Sequence, residues 1–300
     1  MIARLILTAT AAAALTTSAP AQAPGGRSTS LPATVTDGYG DYLHVPAGAF
    51  RMGDNFSDGD PRERPVHVVE LDAYYIAKFE VSNAQWRRFR DDSGYDDPNI
   101  WPAARVVPKD QVPYWTQANN HGGGTAGSDD YPVQGVNWDS AVAYTHWLSA
   151  KTGKKYRLPT EAEWEKAARG ADQRKYPWGN TIDRTLANFV GAQPYDTGMP
   201  VGTFDGSRRG DRETRSNASP YGALDMAGNV MEWCQDWYGR DYYASSPRKH
   251  PKGPESGAYR VVRGGSFFVE AFDLRTYARS AAWPSFQGHR MIGFRAVREP

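Results

Sequence analysis

The 300-residue chain has a single cysteine, Cys234. One thiol allows no intramolecular disulfide, no cysteine-only zinc site and no redox chemistry by a thiol pair. Net charge is nearly absent: 35 Lys and Arg stand against 34 Asp and Glu, a balance of +1. That gives no electrostatic reason to expect nucleic acid or an anionic membrane as partner. Past the amino-terminal segment, no apolar run approaches the ~20 residues that a spanning helix needs. The six histidines form no H-x-x-x-H or H-x-E arrangement. Nucleophile elbows (G-x-S-x-G) and phosphate loops (G-x-x-x-x-G-K) are also missing.

Glycine and proline are plentiful, at 30 and 21 residues, which predicts many turns and irregular segments rather than a helical bundle. Ten Trp and 17 Tyr supply large amphipathic rings to fill a core made of loops and short strands. With 40% hydrophobic and 23% charged residues the composition is that of a folded globular protein.

Residues 1–23 (MIARLILTATAAAALTTSAPAQA) read as a signal peptide. Arg4 gives the positive start, Leu5 to Leu15 the apolar stretch, and Ala21-Gln22-Ala23 the cleavage site. The mature protein is therefore expected to be exported, to a bacterial periplasm, with cleavage after Ala23. Residues 24–41 read as a flexible leader rich in Pro, Gly, Ser and Thr, and 42–300 as one domain.

Leu43 to Met52 and Val66 to Glu80 alternate and read as strands, with further short strands near Tyr259–Gly264 and Gly293–Arg298. Ser82-Asn83-Ala84-Gln85 is a capping box opening a helix through about Asp92. Asn137 caps a helix over Trp138 to Thr152 that stops at Gly153. Thr160-Glu161-Ala162-Glu163 is a second capping box, and Gly170 ends its helix. Trp164, Ala167 and Ala168 are expected to face the core, and Arg157, Glu163 and Glu165 to form ion pairs. The rest of the chain past Gly170 reads as turn-rich. The expected class is α+β with short strands, few helices and much irregular loop.

The ordered succession VPAGAFRMG (45–53), FEVSNAQW (79–86), YPVQGVNWDSAVAY (131–144), YRLPTEAEWEKAARG (156–170), YPWGN (176–180), SPYGALDMAGNVMEWCQDWY (219–238), RVVRGGSF (260–267) and GFRAV (293–297) resembles the formylglycine-generating enzyme, or sulfatase-modifying factor, family. That family includes the ergothioneine-type sulfoxide synthases and the pyoverdine-maturation proteins. The resemblance implies a variant of the C-type lectin fold, and it is far less specific for activity. It also implies structural calcium, held by the Asp225 side chain, the Gly228 and Val230 carbonyls and the Glu232 carboxylate, oxygen ligands on a bent loop. A second calcium site maps onto Asn188, the Phe189 carbonyl and Asp196.

Relatives that make formylglycine hold copper(I) between two cysteines in the segment after RGGS, and soft thiolates suit that ion. Here the first position falls on Val269 and the second near Asp273 or Leu274, and there is no cysteine from 235 to 300. Copper through a cysteine pair is excluded, and Cys234 reads as a small buried apolar residue. The sulfoxide-synthase branch holds iron with histidines, usually behind an extra helical domain. No such domain is expected in this sequence, His67 and His146 read as structural, His121 and His289 are expected on loops, and iron by this route is not expected.

The equivalent cleft carries Ser266, Glu270, Asp273, Arg275, Tyr277, Arg279 and His289. Glu270 or Asp273 is a candidate base, an arginine a candidate clamp for a carboxylate or phenolate, and Tyr277, Phe267 and Phe268 candidate stacking partners for an aromatic substrate. The competing reading makes Arg275 and Arg279 structural ion-pair partners. Two functions follow. One is an oxidoreductase-type tailoring enzyme acting on a secreted peptide or small molecule, similar to the pyoverdine-maturation proteins. The other is a non-catalytic, lectin-like module that binds a peptide, glycan or protein.

Overall fold

The computed structural model describes residues 31–109, 129–191, 197–209, 212–285 and 290–300. The signal peptide and the start of the leader lie outside the described residues, as do His121, Asp196 and His289. Strands in chain order are β1 (Thr34–Asp37), β2 (Gly40–Val45), β3 (Gly48–Met52), β4 (His67–Leu71), β5 (Tyr74–Ala77), β6 (Tyr156–Arg157), β7 (Arg208–Arg209) and β8 (Arg212–Glu213). They continue with β9 (Met231–Trp237), β10 (Arg260–Arg263), β11 (Ser280–Ala282), β12 (Ile292–Gly293) and β13 (Val297–Arg298). The α-helices are α1 (Asn83–Arg90), α2 (Trp138–Thr152) and α3 (Glu161–Arg169).

All three helices start where their caps predict. Ser82 Oγ accepts from Gln85 N–H at 3.3 Å and Gln85 Oε1 accepts from Ser82 N–H at 2.8 Å. Asn137 Oδ1 takes the Ser140 N–H at 2.8 Å, and Gly153 closes α2 in the left-handed region at φ 68°. Thr160 and Glu163 cap α3 reciprocally. Trp164, Ala167 and Ala168 are buried, as their spacing implies.

Three strand expectations need correction. Leu43–Met52 is not one strand. Pro46 and Ala47 interrupt it, so β2 joins one sheet and β3 pairs with β4 in another. Val66–Glu80 likewise divides into β4 and β5 at Asp72 and Ala73. The leader does not run to residue 41, because β1 pairs antiparallel with β2 from Thr34↔Leu43 to Asp37↔Gly40. The turn-rich carboxy-terminal half also contains β9, the central strand of a four-stranded sheet in the order β11-β10-β9-β12. It escapes an alternation test because it is buried on both faces, with Glu232 and Asp236 inside.

The larger sheet runs β1-β2-β5-β13-β6, closed by antiparallel pairings of β13 with β5 and β6. One core lies between α1, α2 and this sheet, where Trp86, Phe89, Tyr144, Trp147 and Phe294 interlock edge to face. A second core lies under α3 and β9, around Trp164, Met226, Cys234 and Val261. The class is α+β with extensive loop, as expected.

Candidate functional site

The segment after Arg263 begins with a tight double-glycine turn. Gly264 and Gly265 sit at φ 94° and 69°, and a Cβ on Gly265 would lie 2.8 Å from Leu274 Cδ1 and 2.9 Å from the Asp273 carbonyl oxygen. This packing folds residues 266–274 back on themselves. Ser266 is buried and its Oγ accepts the Phe268 N–H at 3.2 Å. Val269 and Leu274 join a small apolar cluster with Tyr176, Ala187 and Ala227; the resemblance puts the missing cysteines at Val269 and near Asp273 or Leu274. Phe268 and Phe272 point outward, 45% and 50% exposed. Glu270 is exposed and Asp273 half-buried.

The remaining candidates turn the other way. Arg275, Tyr277 and Arg279 are buried. Arg275 donates to Asp58 Oδ1 at 3.0 Å and to the Phe272 carbonyl at 2.5 Å, and lies 3.5 Å from Glu63 Oε2. Tyr277 donates its hydroxyl proton to Asp58 at 2.6 Å, and Lys175 also pairs with Asp58. Burial pushes the Asp58 carboxyl up, but the hydrogen bonds from Lys175, Tyr277 and Arg275 outweigh it and bring it down to about 2. Arg279 grips Glu161 with two nitrogens at 2.7 and 2.9 Å and also donates to the Arg62 carbonyl at 2.8 Å. As candidate clamps for a substrate anion these arginines are already engaged: Arg279 with buried Glu161, and Arg275 with buried Glu63 and with Asp58 at the surface. Tyr277 is likewise removed from substrate stacking, because its ring stacks on Phe56 at 5.8 Å.

A charged interior explains this. Arg263 bridges Glu161 and Glu165, both at 2.7 Å, and Glu165 also pairs with Arg169 at 2.9 Å. Arg279, Glu161, Arg263, Glu165 and Arg169 form one buried chain of alternating sign. Arg157 and Glu163 make the expected bidentate pair at 2.6 and 2.7 Å.

The loop before β9 behaves similarly. Glu232 receives three donors: Arg295 Nε and Nη2, both at 2.7 Å, and the Trp164 indole N–H at 2.8 Å. Calcium needs oxygen atoms free to coordinate. Glu232 is the counter-charge of Arg295. Asp225, at φ 58°, accepts from Gly202 N–H at 2.6 Å and from Asn217 Nδ2 at 3.0 Å. Gly228 donates its N–H to the Gly264 carbonyl at 2.9 Å, and Val230 donates to Glu80 Oε1 at 3.4 Å. Protein donors thus already engage the Asp225 and Glu232 carboxylates, and an ion at this loop would share them.

Asn188 fits an ion. Its amide nitrogen donates to the Thr197 carbonyl at 2.9 Å and to Asn229 Oδ1 at 3.4 Å, while its Oδ1 is buried with no hydrogen-bond partner among the described residues. Phe189 follows it, half-buried beside the Tyr176 cluster.

Sequence reasoning passed over Glu80. It is buried and linked to Asn229 Nδ2 at 3.1 Å. Burial, then the neighbouring Asp225 and Glu232 charges, hold its carboxyl well above the usual range. Its place in FEVSNAQW marks a conspicuous acid between apolar neighbours, a signal the strand reading absorbed. A cavity of about 240 Å³ opens beside it, lined by Tyr42, Phe79, Ser82 and Tyr144. Cys234 is buried, its thiol pushed up by burial, in line with an inert core role. His146 sits on α2 with Nδ1 2.7 Å from the Ile100 carbonyl, and His67 Nδ1 lies 3.0 Å from the Pro65 carbonyl.

Comparison with known proteins agrees with this architecture. Residues 28–300 match the sulfatase-modifying factor enzyme 1-like domain. The chain is 36% identical to the formylglycine-generating enzyme of Thermomonospora curvata, over 85% of this chain and 92% of that one. It is 35% identical to hercynine oxygenase of Mycolicibacterium smegmatis over 83% of this chain, spanning 59% of that protein. Among solved structures it resembles PvdO from Pseudomonas aeruginosa, with a TM-score of 0.67 and 26% identity over 87% of this chain and 95% of that one. The protein belongs to the sulfatase-modifying factor, or formylglycine-generating enzyme, family.

Proposed function

We propose that this protein is exported and acts in the oxidative tailoring or maturation of a secreted peptide or small molecule, without copper–thiolate chemistry of its own. The observation that carries this reading is the Gly265–Leu274 segment. Where relatives hold their cysteine pair, it has Val269 beside Asp273 and Leu274, and it turns Phe268 and Phe272 to solvent. Exposed rings flanked by Glu270 and Asp273 suit a substrate with an aromatic or apolar group. The likeness to PvdO and hercynine oxygenase supports the oxidative class.

Untargeted metabolite comparison of a deletion strain with its parent tests this. A precursor that accumulates in the deletion strain, and is cleared by the restored gene but not by a Glu270→Gln, Asp273→Asn double variant, supports it. An unchanged metabolite profile refutes it. The competing reading, a binding module, is favoured by the commitment of Arg275 and Arg279 to internal carboxylates. It is the outcome if a partner is captured and no metabolite changes.

Export rests on residues 1–23, and amino-terminal sequencing of the periplasmic protein should begin at Pro24. A structural calcium ion is proposed at Asn188 Oδ1 and the Phe189 carbonyl, hard oxygen ligands suited to it. A ligand present at a hundredfold excess over its dissociation constant adds about 2.7 kcal/mol of stability. Chelation should lower the melting temperature of the wild type and leave Asn188→Ala unmoved. Identical melting of the wild type with calcium and with chelator removes the site.

A further inference from the structure

The ends of β10 and β11 carry another exposed aromatic pair besides Phe268 and Phe272. Tyr259 and Trp283 are stacked, with centroids 5.5 Å apart and planes within 16°, and are 40% and 54% exposed. From Trp283 the chain passes through Pro284, whose carbonyl accepts the Trp138 N–H at 3.0 Å. It then reaches Ser285, which lines a recess of about 60 Å³ with Arg105, Asn137 and Asp139. Arg260, next to Tyr259, is clamped between the Trp138 and Trp237 rings at 3.7 and 3.5 Å.

Two polar groups here lack partners. Arg260 donates through Nη1 to the Gln235 carbonyl at 2.7 Å, but its Nε is buried with no hydrogen-bond partner among the described residues. Burial lowers its pKa to about 10, against the pull of Asp139 and Asp236. Asp139 is half-buried, and its carboxylate makes no hydrogen bond or ion pair with any described residue. Burial pushes its carboxyl up despite the nearby charges of Arg105 and Arg260. The Asp139 carboxylate is left to accept from a ligand, and the exposed Arg105, which lines the same recess, to donate to it.

We propose that this surface binds a neutral pyranose sugar within an oligosaccharide. A flat ring stack accepts the apolar C–H face of a sugar ring. A hydroxyl group donates to the Asp139 carboxylate and accepts from the Arg105 guanidinium, a double role that one chemical group fills. Asp139 and Arg105, the two charged residues lining the recess, offset each other, which favours an uncharged ligand. The recess has room for a hydroxymethyl group and not for a large side chain.

The test titrates the full chain with oligomers of glucose, N-acetylglucosamine, mannose and galactose, read by tryptophan fluorescence and calorimetry. At least one should bind saturably. Trp283→Ala and Asp139→Asn should each weaken it about tenfold or more, equivalent to about 1.4 kcal/mol. Trp283 is exposed, so its variant should melt with the wild type, and metabolite processing should be unaffected because Phe268 and Phe272 are untouched. Failure of every oligomer to bind, or binding that survives both substitutions, overturns the proposal.

Discussion

Glu232 and Arg295 are both fully enclosed, and each is the other's compensation. Removing one partner of a buried ion pair leaves an uncompensated charge and costs about 3–5 kcal/mol. Glu232→Ala should therefore lower stability by about that amount in denaturant titration, with or without calcium present. Glu232→Gln keeps an oxygen for the Trp164 indole and should cost less. The same reasoning separates two groups that look alike in sequence. Arg279→Ala removes one of the two arginines that hold buried Glu161 and should destabilise markedly, whereas Glu270→Gln, at an exposed position, should leave the melting temperature within a few degrees. Equal melting of the two variants would contradict the separation of residues 266–279 into an outward and an inward set. Sequence alone could not make that division. Arg275, Tyr277 and Arg279 fall at alternate positions, but that spacing cannot say that Asp58, Glu63 and Glu161 wait beside them. Those partners lie more than a hundred positions away.

At the scale of elements, local chemistry was the readable part. Ser82, Asn137 and Thr160 with their following residues determine three helix starts through bonds that close within three residues. Strand β9 was unreadable for the opposite reason: its polar residues are satisfied by distant groups, Arg295 for Glu232 and the Glu161 N–H for Asp236. The double-glycine turn belongs with the readable features, because paired glycines announce a close approach before any partner is known. Its consequence is measurable. Gly265→Ala forces a side chain into a left-handed conformation against the Asp273 carbonyl and should cost about 1–3 kcal/mol. It should also disturb the 266–274 segment, lowering substrate processing beyond what the stability loss explains. Gly153→Ala, left-handed but with open space around its Cβ, is the control and should cost less.

For the whole molecule, the interior holds charges of both signs, and their balance sets the pH response. Acids of one kind are held by arginines: burial pushes Glu161 up, but Arg279 and Arg263 outweigh it and lower its pKa. A lowered acid contributes stability that is present above its unfolded pKa and lost as pH falls through the folded value. Acids of the other kind have no matching cation. Asp236 is raised to about 8 by burial and then by the Glu161 charge, and burial likewise raises Glu80 and Asp225. A raised acid contributes stability that is fully present below its unfolded pKa, near 4, and lost as pH rises towards the folded value. Between about pH 5 and pH 8 the raised group dominates, because the arginine-held acids are ionised throughout that range. Stability should therefore peak in mildly acidic solution and decline towards pH 8. Asp236→Asn keeps an oxygen to accept the Glu161 N–H and removes the titrating charge. Its melting temperature should match the wild type near pH 5, exceed it at pH 8, and vary less in between. A wild-type profile that rises from pH 5 to pH 8, or a variant with an unchanged slope, would place the unpaired interior charge elsewhere.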